Sequence, residues 1–114
     1  MTTVRALGDL PQMARYGTHG PEEVEAFLGR YPFLIPLLTE ALAPLEVAFG
    51  PDTPFVVALD RDPEVAGWEE LRVDVETTLT ADEANRRLEA FDTTWWLEHL
   101  PEAQGKLFFT LAFV

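Results

Sequence analysis

The 114-residue chain reads as a single α+β domain, and three stretches of it carry that reading. Apolar residues from Phe33 to Phe49 hold a 3.6-residue phase, the mark of an amphipathic helix. Leu71, Val73, Val75, Thr77 and Leu79 alternate with Arg72, Asp74, Glu76 and Thr78, the mark of a strand with one wet face. Thr80-Ala81-Asp82-Glu83 is a capping-box pattern that starts a second long helix.

Taken in order, residues 1–20 contain Gly8, Pro11, Gly17 and Gly20 without a sustained period and are expected to form a loosely ordered arm. The folded domain is expected over residues 21–114. Pro21 suits the first position of a helix, and Glu22, Glu23 and Glu25 sit near the positive end of its dipole. Val24, Phe27 and Leu28 form its buried stripe. The next helix begins after Tyr31-Pro32, tolerates Pro36 in its first turn, and meets Pro44, which either kinks it or splits it at Ala43. Gly50-Pro51 stops it.

Phe55 to Leu59 is a short run of β-formers, expected as a strand buried on nearly both faces. A polar loop, Asp60 to Gly67, leads to the alternating strand at 68–79. The helix that starts at Thr80 buries Ala84, Leu88, Phe91 and Trp95, with Asp82 paired to Arg86 and Glu83 to Arg87 outside. Leu107 to Val114 is the last strand.

This order, ααββαβ, is expected to give a three-stranded, mainly antiparallel sheet with the strands ordered 2-1-3 and all helices on one face. The alternative places the third strand beside the second, in parallel.

Apolar residues at 47% and charged residues at 25% suit a globular chain, despite a net charge of −12. That charge argues against a nucleic-acid partner, whose phosphates bind mainly to Lys and Arg, and against an anionic membrane surface. No apolar run is long enough to span a membrane, and the first residues lack the apolar stretch of a signal peptide, so the expected compartment is the cytoplasm. The chain has no cysteine and no serine, which removes thiolate ligands and the commonest nucleophiles. No phosphate loop or dinucleotide fingerprint occurs, and no cofactor is expected. His19 and His99 stand far apart in the sequence.

Two features invite a functional reading. Asp60, Asp62 and Glu64 alternate like oxygen ligands of a divalent cation, but Val65 and Leu71 occupy the places where an EF-hand needs Gly and Glu, so a solvated turn is the expected outcome. The second feature is the outer face of the sheet. There Arg72, Asp74 and Glu76 would stand among Val56, Ala58, Phe108, Ala112 and Val114, an apolar area rimmed by charge. Trp96, about 100° from Trp95 around its helix, is either a flank of the core or a contact residue.

The runs Tyr31-Pro32-Phe33-Leu34-Ile35-Pro36-Leu37-Leu38, Asp62-Pro63-Glu64 and Phe91-Asp92-Thr93-Thr94-Trp95-Trp96-Leu97 resemble a family of short bacterial proteins of unknown function. The resemblance implies a bacterial single-domain protein and no particular activity.

The function expected from these residues is a non-enzymatic interaction module. It would use the outer face or edge of its sheet, through Arg72, Asp74, Glu76, Trp96, Phe108, Ala112 and Val114, to hold a protein partner. That partner is either a second copy of itself or a basic protein, in the manner of an antitoxin. The alternative is a carboxylate-based enzyme or small-ligand protein using the loop from Asp60 to Glu64.

Overall fold

The computed structural model describes residues 13–114; the first twelve residues of the expected arm lie outside the described residues. The elements run β1 (Tyr16–Thr18), α1 (Pro21–Arg30), α2 (Leu34–Phe49), β2 (Phe55–Arg61), β3 (Glu69–Thr77), α3 (Ala81–Phe91), a π-helical turn (Asp92–Trp96), α4 (Leu97–Ala103) and β4 (Leu107–Phe113).

Local chemistry accounts for most of these boundaries. Pro21 occupies the start of α1, with Glu22 and Glu23 in its first turn. α2 runs unbroken through Pro44, so the helix survives the loss of one backbone donor because its stripe of Leu34, Leu38, Ala41 and Leu45 is fully buried. The Thr80 hydroxyl accepts from the Glu83 amide at 3.3 Å and opens α3. Glu83 itself turns outward to Arg86 and Arg87. Gln104 and Gly105, both left-handed, fold the chain back from α4 into β4.

The sheet differs from the expected one. It has four strands in the order β1-β2-β3-β4 and is mixed rather than mainly antiparallel. β1 lies parallel to β2, with Tyr16 beside Phe55. β2 and β3 form the antiparallel hairpin, from Phe55 beside Val75 to Arg61 beside Glu69. β4 runs parallel to β3, from Leu71 beside Leu107 to Thr77 beside Phe113. Order 2-1-3 fails for a specific reason: β1 already lies along the edge of β2 where the last strand was expected. The free edge of β3 takes β4 instead.

β1 is only three residues long and contains Gly17, too little for any periodic signal. It is held by tertiary contacts. The Tyr16 hydroxyl donates to the Leu38 carbonyl at 2.6 Å, Met13 is fully buried, and the Arg15 guanidinium lies 4.4 Å over the Phe55 ring while donating to the Pro51 carbonyl. Burial pushes the Tyr16 phenol far above its usual range, so it remains a donor.

All the helices pack on the face formed by Phe55, Val57, Leu71, Val73, Val75, Leu107 and Phe109, in one core with Phe27, Leu28, Leu38 and Phe91. Among the described residues no single helix is long and apolar enough to cross a membrane. α1 and α2 pass such a test only as a pair bent by 117°, and their apolar stripes are spent on this core.

Candidate functional site

β4 lies at an edge of the sheet, and its backbone decides what that edge can do. The Leu71 amide donates to the Lys106 carbonyl, and the Val114 amide donates to the Thr77 carbonyl. In a parallel ladder these two bonds fix the alternation between them. The amides and carbonyls of Phe108, Thr110 and Ala112 face β3. Those of Leu107, Phe109, Leu111 and Phe113 face away from the sheet, and among the described residues no strand lies beyond them.

Leu107 to Phe113 contains no charge, proline or glycine, and none of the usual edge defences is present on it. Phe113 is 54% exposed and Val114 74%. Both stand at the open end of the strand. An uncharged β-prone run with free backbone groups is a template for adding another strand.

The outer face lies on the other side of the sheet from the helices. Arg72 sits at its centre, between Ala58 of β2 and Phe108 of β4. Its guanidinium donates to Asp60 at 3.1 Å and to Asp74 at 2.8 Å. Phe108, Thr110 and Ala112 are half-buried there, and Ala58 is fully buried. Less of this face is exposed than the sequence suggests, and Val114 is the most exposed apolar residue among those expected to bind. Glu76 stands beside Ala112 in the ladder and lines a hollow of about 390 Å³ with Asp52, Arg87 and Val114.

Glu70, next to Asp60 across the hairpin, has its carboxyl raised above the usual range by burial and by the Asp60 charge. On the opposite flank, Glu69 receives Arg61 at 2.8 Å and Arg30 at 3.0 Å, which hold its carboxyl below the usual range.

Trp96 lies in the core at 6% exposure, packed edge-on against Phe109 at 4.8 Å. It is therefore not on the outer face with Phe108 and Ala112. Trp95, the residue expected in the core stripe, is only half-buried and lines a groove of about 480 Å³ with Pro44, Val47, Ala48 and Arg87. The π turn explains the exchange. Leu97 donates back to the Asp92 carbonyl five residues earlier, and the extra residue moves the stripe from Trp95 to Trp96.

The acidic loop is not gathered into a site. Asp60 is paired with Arg72, and Asp62 accepts from the Glu64 amide at 2.8 Å, closing its own turn. His99 pairs with Glu102 on α4 and packs on Trp95. Among the described residues no three acidic or histidine side chains converge as a metal requires. Comparison of the chain with protein-family models, curated proteins and solved structures finds no match.

Proposed function

We propose that this protein is an interaction module that docks a protein partner by adding a strand to the open edge of β4. The observation behind this is the row of outward-facing backbone groups at Leu107, Phe109, Leu111 and Phe113 on a strand without a single charge. Backbone pairing would supply affinity, and the flanking Phe113 and Val114 would supply apolar contact. The half-buried Phe108, Thr110 and Ala112 form the adjoining part of the outer face, with Arg72, Asp74 and Glu76 beside them on β3.

The experiment compares protein complexes isolated from the native host with wild type, Thr110→Lys, Phe113→Pro and a Glu22→Gln control on α1. Complexes retained by the control and lost with both edge variants support the reading. Complexes that survive both edge changes in folded protein would sink it.

A further inference from the structure

Resting on that reading of β4 as a docking edge, we infer that its occupant is a second copy of this chain, paired antiparallel through β4 about a two-fold axis at Thr110.

Charge is the first argument. A chain of net charge −12 repels its own copies over most of its surface. β2 lies between β1 and β3, and β3 lies between β2 and β4, so neither offers an identical strand a free side. β4 is the one strand longer than three residues, among those described, with an unpaired side, and it carries no charge to oppose the same charge of a copy.

Register is the second. The outward-facing residues Leu107, Phe109, Leu111 and Phe113 are placed symmetrically about Thr110. When Thr110 faces Thr110 of the copy, Leu107 meets the copy's Phe113 and Phe109 meets the copy's Leu111. Every outward donor then finds an outward acceptor. A slip of two residues leaves groups unpaired at both ends. This contact is the same patch on both chains, so it closes as a dimer rather than growing into a fibre.

Surroundings are the third. On the outer face Phe108 would lie across from the copy's Ala112, a large residue against a small one, with the two threonines between them. On the helix side, Phe113 would gain the cover of the copy's Leu107. On α4, which follows the π turn whose Trp96 packs against Phe109 of β4, Leu97 and Leu100 stay 56% and 46% exposed.

The chain contains no cysteine, so Thr110→Cys introduces its only thiol. Residues facing each other without mutual hydrogen bonds in an antiparallel pair have Cα atoms about 4.5 Å apart, within disulfide reach. Under mild oxidation of the full chain at tens of micromolar, Thr110→Cys should form a covalent dimer roughly tenfold faster than Ala112→Cys. Phe108→Cys mixed with Ala112→Cys should cross-link to each other. Wild type should scatter light as a dimer, and Thr110→Lys should be a folded monomer by circular dichroism and scattering.

A dimer in which Thr110→Cys fails to cross-link overturns this pairing. A wild-type monomer at hundreds of micromolar overturns the second copy as occupant. In that monomer, freely exchanging Phe109 and Leu111 amides would leave the docking edge standing for another protein, whereas protected ones would overturn the edge reading as well.

Discussion

Trp96 follows Phe91 by five residues, and both are buried in one core stripe, each packed edge-on against Phe109. An α-helix would bring the fourth residue, Trp95, to that position. The π turn at Asp92–Trp96 supplies the extra residue.

This relationship orders the cost of two truncations. Trp96→Ala should destabilise the protein by about 3–5 kcal/mol, as removal of a buried aromatic does. Trp95→Ala should cost under about 2 kcal/mol, because its ring is only half-buried and lines a groove. Urea unfolding of the two variants checks the order, and an equal or reversed cost would contradict the shifted stripe.

Tyr16 ties β1 to α2 through one buried hydrogen bond to the Leu38 carbonyl. Tyr16→Phe keeps the packing and removes the donor, so a loss of about 1 kcal/mol is expected. Unfolding curves measure it. No loss would mean that β1 is held by packing alone.

Glu70 carries a raised carboxyl pKa, caused first by burial and then by Asp60. For such a group, stability is fullest below its unfolded-state pKa and falls as pH rises through the folded value. Glu70→Gln should therefore unfold at a higher temperature than wild type at pH 7, and the gap should close below about pH 4. The lowered carboxyls of Glu69 and Glu83 act in the opposite sense, losing stability as pH falls, so the difference between variant and wild type is the readout. A gap that widens in acid would contradict the assignment.

The alternation along β4 separates two neighbouring positions. Ala112 turns its amide to β3 and Phe113 turns its amide away. Ala112→Pro should cost about 3 kcal/mol, while Phe113→Pro should cost less than about 1 kcal/mol, since proline is tolerated where a strand faces solvent. Equal costs in thermal unfolding of the dilute monomer would mean that the outward groups have partners within the chain.

Much of the fold was legible because its signals are long or specific. The stripe of α2 and the alternation of β3 repeat over many residues, the Thr80 cap is a specific four-residue pattern, and all three elements form where they were expected. What escaped was short or out of phase. Tyr16-Gly17-Thr18 is a strand only because β2 lies beside it and Tyr16 reaches Leu38, contacts distant in sequence. Missing β1 left the edge of β2 seemingly open, and the wrong strand order followed.

The candidate site was legible in part for the same reason. The apolar character of Leu107–Val114 is plain in the residues, but which of its backbone groups are free depends on β4 lying beside β3. Trp96 was misplaced between core and surface because no local feature of Thr93-Thr94 announces an extra residue in the helix. Arg72 was expected at the rim of the outer face, whereas cross-strand register puts it at the centre with Asp60 and Asp74.

Residue-resolved amide exchange along β4, followed as the protein is diluted, tests the open edge most directly. The account predicts that Phe108, Thr110 and Ala112 stay protected throughout, while Phe109, Leu111 and Phe113 lose protection on dilution. Equal protection of all six at the lowest concentration would show the edge already covered by its own chain, and would contradict it.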